Sequence, residues 1–103
     1  MDQRKAIQLI KEYVQFLIEE KHYVIKQAIL FGSYAKGSYH EDSDIDIAIV
    51  LEDLGDSFDE QLRLMTYRRE FDVRIEPHPF DEARFDEQSP FAYEIIKTGI
   101  RIL

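Results

Sequence analysis

Two aspartates separated by one isoleucine, Asp44 and Asp46, stand at the head of an apolar run that ends at Leu51. Residues two apart on a β-strand project from the same face, so both carboxylates share a face if this run is a strand. The isoleucines that alternate with them then project from the other face and are suited to burial. The pattern predicts a strand over 43–51 that is half buried and carries an acidic pair at its start.

A second strand is predicted immediately upstream. Residues 24–31 are mostly apolar or β-branched, and the run stops at Gly32, which is typical of a strand entering a turn. Ser33 to Lys36 can form the first turn of a short helix, whose free backbone N–H groups would point toward an anion. The two strands therefore place a glycine-serine turn and a carboxylate pair in one stretch of the chain.

The remaining elements follow from periodicity and from turn residues. Apolar residues at steps of three and four predict an amphipathic helix over 6–20. Alternation predicts a third strand over 71–76 that ends at Pro77, with Asp72, Arg74 and Glu76 on one face, which we expect to line a site. A helix is expected over 58–69, with Phe58, Leu62 and Met65 turned inward. An extended link is expected over 77–80, in which His78 is structural. The remaining elements are a helical turn over 81–85, a helix over 90–98 and a short closing strand over 100–103.

Size and charge limit the possible functions. A chain of 103 residues is expected to form a single domain, 1–103, without a separate domain for substrate recognition. Its net charge of −8 disfavours direct nucleic-acid binding, which depends on lysine and arginine. The sequence has no cysteine, no secretory signal and no membrane-spanning run, so we expect a cytoplasmic protein without membrane contact.

Known phosphate and metal loops do not fit the central stretch. Gly32 and Gly37 have the spacing of P-loop glycines, but no lysine follows where that loop requires one. An EF-hand loop requires a glycine where this chain has Ile47. A phosphatase with an aspartate nucleophile has its acids after the apolar strand, whereas here the acids come first.

A hard-metal site is the remaining use of the acidic pair. Neighbouring carboxylates repel each other unless a divalent cation neutralises them, and Mg²⁺ that also carries phosphates is the expected occupant. Gly32 allows the backbone to approach a triphosphate closely, and the Ser33 hydroxyl can donate to its oxygens. Lys36 lies close enough in sequence to balance part of the charge.

The spacing of these motifs resembles a known family. Gly32-Ser33, ten further residues, Asp44-Ile45-Asp46 and a third acidic strand resemble the minimal nucleotidyltransferases (MNT) of the DNA polymerase β-like superfamily. Ala35-Lys36-Gly37 fits as well, because members often have alanine, then arginine or lysine, then glycine there. The resemblance implies an α/β (α+β) nucleotidyltransferase fold, in which a small mixed sheet packs with helices in the order α-β-α-β-α-β-α(-β).

The resemblance also implies a reaction and a set of site residues. The reaction would transfer a nucleoside monophosphate, AMP if the donor is ATP, to a hydroxyl group with release of pyrophosphate. Asp44 and Asp46 would ligate two Mg²⁺ ions, while Gly32 and Ser33 hold the phosphates and Lys36 assists. Asp72 would be the third carboxylate, binding metal and drawing the proton from the acceptor; Glu76 is the alternative.

Members of this family are commonly paired with a HEPN-domain toxin, which implies an MntA-type antitoxin. The first hypothesis is therefore a protein adenylyltransferase, dependent on Mg²⁺ and ATP, that neutralises a HEPN toxin. The alternatives are an antitoxin that acts by binding alone and an enzyme that modifies a small molecule. The acceptor, the preferred nucleotide and the oligomeric state stay open at this point.

Overall fold

Four strands form one mixed sheet, and helices cover both of its faces. The computed structural model describes residues 1–103. The elements are α1 (Gln3–Glu20), β1 (Ile25–Phe31), α2 (Ser33–Lys36), β2 (Ile45–Leu51), α3 (Ser57–Tyr67), β3 (Ile75–Asp81), α4 (Pro90–Thr98) and β4 (Ile100–Arg101), with short 3₁₀ turns at Arg68–Glu70 and Glu82–Arg84. The predicted alternation of helices and strands is confirmed.

The strand order is β3-β2-β1-β4. Strand β1 is antiparallel to β2 and β4, whereas β2 and β3 are parallel. The antiparallel register sets Phe31 opposite Asp46, and the parallel register sets Glu76 opposite Asp46. The end of β1 and the start of β3 therefore flank the start of β2.

The two faces of the sheet bury separate apolar clusters. Helix α1 covers one face, where the alternate isoleucines of β2 pack together with Ile10, Tyr13 and Leu17. Helix α4 covers part of the other face, where Ala48 and Val50 are buried with Ile95. Asp46 projects from this second face, beyond the region that α4 covers. No helix is long and apolar enough to cross a membrane.

The third strand differs from the prediction. A strand over 71–76 that ends at Pro77 is wrong, because β3 begins at Ile75 and continues through both prolines to Asp81. This is possible because β3 is an edge strand. Proline removes one backbone donor, and residues two apart direct their backbone groups to the same side, so Pro77 and Pro79 both lack the N–H that would face the open edge.

Helix α3 closes that open edge with polar groups. The Gln61 side chain donates to the Pro77 carbonyl at 3.0 Å, and Arg68 Nη1 donates to the Ile75 carbonyl at 2.7 Å. Leu64 is the fully buried apolar residue of this helix. The inward face of α3 is therefore built on residues 61, 64 and 68.

The predicted inward face of α3 is wrong. Phe58 and Leu62 are 66% and 50% exposed, and Met65 is only partly buried. The apolar pattern misleads here because the edge strand presents carbonyl groups to the helix, and polar side chains satisfy them.

Candidate active site

The turn after β1 depends on a glycine. Gly32 caps the N-terminus of α2 with φ +76°, in the left-handed region that L-residues with a side chain rarely adopt. A Cβ atom at this position would overlap Oδ2 of Asp46. The predicted turn is confirmed, and the structure shows that its glycine gives space to a carboxylate of the neighbouring strand.

The predicted alternation of β2 is also confirmed. Ile45 and Ile47 are fully buried on the α1 side of the sheet. Asp46 is partly exposed on the opposite side, with a side-chain exposure of 24%, and Asp44 is exposed just before the strand begins.

An open cleft of about 410 Å³ joins the turn to the acidic pair. Its lining contains carboxylates, serine hydroxyls and one imidazole, and no apolar side chain: Ser33, Ser38, His40, Asp42, Ser43, Asp44 and Asp46. The structure therefore brings together three of the predicted site residues, Ser33, Asp44 and Asp46, and Gly32 contacts Asp46 at the same place. Such a surface suits polar, phosphorylated ligands bound with cations.

Local hydrogen bonds and aromatic packing shape the walls of the cleft. The Ser43 hydroxyl accepts from the His40 backbone N–H at 2.8 Å, and the Ser43 N–H donates to the His40 carbonyl at 3.0 Å. Tyr34 is buried and stacks on Tyr39, with ring centroids 4.4 Å apart. The Gln3 side chain donates to the Tyr34 carbonyl at 2.8 Å, which ties α2 to the start of α1.

Lys36 lies outside the lining of this cleft. Its ammonium group pairs with Glu94 of α4 at 3.3 Å, and both side chains are about half exposed. The structure thus places Lys36 at a contact between α2 and α4. A role in phosphate binding would require Lys36 to leave Glu94.

Asp72 does not lie on a strand beside Asp46. It precedes β3, so the expectation that Asp72, Arg74 and Glu76 share one strand face is wrong. Arg74 holds the Asp72 carboxylate with Nη2 at 2.8 Å, Nε at 3.1 Å and its backbone N–H at 2.9 Å. Hydrogen bonds from the Arg74 side chain are the main reason that the pKa of Asp72 lies below its usual range. Asp72 and Arg74 thus form an ion pair ahead of the strand.

Glu76 occupies the strand position that was expected of Asp72. It is the register partner of Asp46 in the parallel pair, and paired residues project from the same face of a sheet. Its carboxylate lies 3.6 Å from Arg68 Nη1 at the open edge. The roles of Asp72 and Glu76 as third carboxylate both stay predictions.

His78 is the site contact that sequence reasoning missed. It lies on the same face as Glu76, and its Nε2 is 3.1 Å from Asp46 Oδ1. The signal was the alternation of residues 76, 78 and 80, which the two prolines obscured. An edge strand tolerates prolines spaced in this way, so the alternation could have been read through them.

The donor chemistry fits Mg²⁺. Asp44 and Asp46 offer hard oxygen ligands beside serine hydroxyls. The structure contains no group of three or more His, Asp or Glu side chains arranged to hold a metal ion. A site with two carboxylates still suits Mg²⁺, which commonly takes one or two carboxylates and completes its shell with water and substrate phosphates.

Comparison with protein families gives a match over most of the chain. The family model described as Polymerase beta, Nucleotidyltransferase matches residues 10–103. A Methanocaldococcus jannaschii protein with the provisional name protein adenylyltransferase is 31% identical over 79 residues, which are 71% of this chain and 77% of that protein. Another protein of that organism and provisional name is 54% identical over 50 residues, but the match spans only 47% of its length.

Solved structures share the fold. A provisionally named nucleotidyltransferase from Sulfolobus solfataricus superposes with a TM-score of 0.69 at 23% identity, over 96% of this chain and 80% of that one. A chain in the structure of a tri-AMPylated Shewanella oneidensis HEPN toxin in complex with an MNT antitoxin superposes with a TM-score of 0.54 at 17% identity, over 98% and 71% of the two chains. At these identities the structures support the fold alone.

The expected α/β fold, a small mixed sheet packed with helices, is confirmed by the architecture and by these superpositions. The family match includes all four strands, together with the Gly32 turn and the Asp44-Asp46 strand. Since this match runs from residue 10 to the end of the chain, the protein belongs to the polymerase β nucleotidyltransferase family.

Proposed function

We propose that this chain is a nucleotidyltransferase that uses Mg²⁺ and ATP to transfer AMP to a hydroxyl group of a protein. The observation that carries the proposal is the contact of Gly32 with the Asp46 carboxylate at a polar cleft that also holds Ser33 and Asp44. A tight glycine-serine turn thus lies beside carboxylates that can hold a cation.

Asp44 and Asp46 would hold Mg²⁺ in this proposal. The ion, when bound, supplies positive charge that neutralises the triphosphate and stabilises the entering and leaving oxygens. Gly32 leaves room for the Asp46 carboxylate at the turn, and the Ser33 hydroxyl would donate to the phosphate oxygens. In the transfer, the acceptor oxygen forms a bond to the α-phosphorus, the bond from that phosphorus to the bridging oxygen breaks, and pyrophosphate leaves.

We assign the third carboxylate to Glu76 rather than to Asp72. Glu76 is opposite Asp46 in the parallel register, whereas Asp72 lies before the strand and is neutralised by Arg74. In this assignment the Glu76 carboxylate accepts the proton that the acceptor hydroxyl loses.

The proposal also specifies the acceptor as a protein, and as a HEPN toxin in particular. The provisional names of the Methanocaldococcus jannaschii relatives support a protein acceptor. The similar fold in a complex of an AMPylated HEPN toxin with an MNT antitoxin supports a toxin partner. The net charge of −8 favours a protein over a polynucleotide as the acceptor.

Labelled ATP tests the proposal. The protein is incubated with ATP labelled at the α-phosphate, Mg²⁺ and a HEPN protein as the candidate acceptor, and transfer of label to that HEPN protein is measured with and without EDTA. The same assay is run with a variant carrying both Asp44→Asn and Asp46→Asn. We expect label on the partner, lost with EDTA and in the double variant.

The outcome also separates the alternatives. If the double variant still neutralises the toxin with undiminished potency, the protein acts by binding alone and the catalytic proposal is wrong. Label that appears on small alcohols and never on the partner would identify a small-molecule enzyme.

A further inference from the structure

His78 contacts one of the two carboxylates of the cleft. Its Nε2 lies 3.1 Å from Asp46 Oδ1, and the two side chains are 26% and 24% exposed. We propose that His78 is a positioning residue, which holds the Asp46 carboxylate in the orientation that binds a divalent cation. The inference rests on the proposed function, because that function assigns Asp46 to the metal.

The backbone around His78 is unusually restricted. Proline fixes φ in Pro77 and Pro79, and the residue before a proline is confined to extended conformations, so His78 has little freedom. The parallel register sets His78 opposite Ala48, which places it diagonally from Asp46 on the same face. Because Ala48 is small, the imidazole can lean along the strand toward Asp46.

Two aromatic rings hold the imidazole in this position. The Phe31 ring centroid lies 5.1 Å from that of His78, and the Phe91 centroid lies 6.4 Å from it in an edge-to-face arrangement. Phe31 ends β1 and immediately precedes Gly32, whereas Phe91 is the second residue of α4. The imidazole is thus located by three elements that meet at the border of the cleft.

Asp46 is constrained on both of its oxygens. His78 contacts Oδ1, and Gly32 lies against Oδ2 on the other side. A carboxylate only accepts hydrogen bonds, so the contact uses the His78 tautomer in which Nε2 carries the hydrogen. That nitrogen then has no lone pair for a metal, so at this contact His78 acts on the orientation of the carboxylate. A partner of this kind fixes the metal-binding carboxylate in advance, so the carboxylate loses less conformational entropy when it binds the metal.

Binding of Mn²⁺ alone tests this role without relying on activity. Free Mn²⁺ is measured by electron paramagnetic resonance during titration of the full chain and of His78→Ala, His78→Gln and His22→Asn. We expect His78→Ala to weaken Mn²⁺ binding by about 10- to 100-fold, as for other outer partners of metal ligands. His78→Gln should recover much of the affinity, because its amide can donate to Asp46 from a similar position.

His22→Asn is the matched control, because His22 is exposed, lies before β1 at the far end from Gly32, and has φ 61°, which asparagine tolerates. It should bind Mn²⁺ like the unaltered protein. If His78→Ala binds Mn²⁺ as tightly as the unaltered protein, the positioning role is wrong while the proposed function stands. If the unaltered protein binds no Mn²⁺, the proposed function is wrong and the inference falls with it.

Thermal unfolding without metal separates positioning from packing. A positioning role predicts that His78→Gln restores affinity even if both His78 variants have the same lowered Tm. If the loss of Mn²⁺ affinity instead follows the loss of Tm in both variants, with no recovery by glutamine, His78 serves packing only and the inference is overturned.

Discussion

Gly32 and Asp46 touch across the antiparallel pair of β1 and β2, with the glycine α-carbon directly against the carboxylate of the aspartate. The contact follows from register, since Phe31 is the partner of Asp46 and Gly32 is the next residue. The glycine turn and the acidic strand thus form one structural unit. A substitution at either residue should therefore change the position of the other.

Gly32→Ala should abolish AMP transfer. The new methyl group would overlap Asp46 Oδ2, and the backbone at φ +76° and ψ −154° lies in a region that is essentially restricted to glycine, which adds strain of about 1–3 kcal/mol. Transfer of label and Mn²⁺ affinity are the measurements, and both should fall together. Gly37→Ala is the matched control, because Gly37 has φ +80° but open space around its α-carbon.

The control should lose some stability, because Gly37 has φ +80° and ψ 9°, a left-handed conformation that costs alanine less than the conformation of Gly32 does. It should keep its Mn²⁺ affinity, because no carboxylate is displaced. Equal Mn²⁺ affinities in Gly32→Ala and Gly37→Ala would show that the overlap with Asp46 is unimportant.

Glu76→Gln should lower the rate of AMP transfer by roughly 100-fold or more, the usual contribution of a general base. Asp72→Asn should retain most of the rate, because Asp72 lies before β3 and pairs with Arg74. Single-turnover rates with labelled ATP make the comparison. The reverse pattern, with Asp72→Asn inactive and Glu76→Gln active, would return the role to Asp72.

The ion pair of Asp72 and Arg74 should make part of the stability sensitive to acid. Hydrogen bonds from Arg74 lower the pKa of Asp72 in the folded state. The contribution is therefore complete above the unfolded-state pKa of about 4 and is lost as pH falls through the lower folded-state pKa. Asp72→Asn should reduce the free energy of unfolding at neutral pH by up to about 1 kcal/mol, because the pair is partly exposed.

Urea denaturation of both proteins at neutral pH and well below about pH 4 measures this difference, which should shrink in acid. A difference that stays constant or grows in acid would mean that the pair does not lower the pKa of Asp72 in the folded protein.

Leu64→Ala should cost roughly 2–5 kcal/mol in the free energy of unfolding, because Leu64 is fully buried. Leu62→Ala should change it by less than about 0.5 kcal/mol, because Leu62 is half exposed on the same helix. Urea denaturation of the two variants compares the faces directly. Similar losses in both would indicate that Leu62 is buried in solution.

The local sequence pattern was sufficient to predict structure where it has one physical explanation. The alternation of Asp44 and Asp46 with isoleucines predicted both faces of β2, and both are as expected. Gly32 predicted a turn, because a strand that must reverse often needs a left-handed residue. Net charge, the absence of cysteine and the motif spacing also required no structure.

Prediction from the sequence pattern failed where the environment of a residue depends on its neighbours in the tertiary structure. Prolines at 77 and 79 are typical of an irregular link, yet they are acceptable in β3 because its other side has no partner strand. Polar Gln61 and Arg68 are typical of a solvent-facing surface, yet they face the carbonyl groups of that edge.

The sequence by itself therefore determined the glycine turn, the acidic strand and the family to which they point, because these depend on backbone conformation and on alternation along one strand. Only the tertiary structure decided which groups surround Asp46. Strand register, which depends on long-range pairing, set Glu76 opposite it, brought His78 to its carboxylate and left Asp72 paired with Arg74 outside the strand.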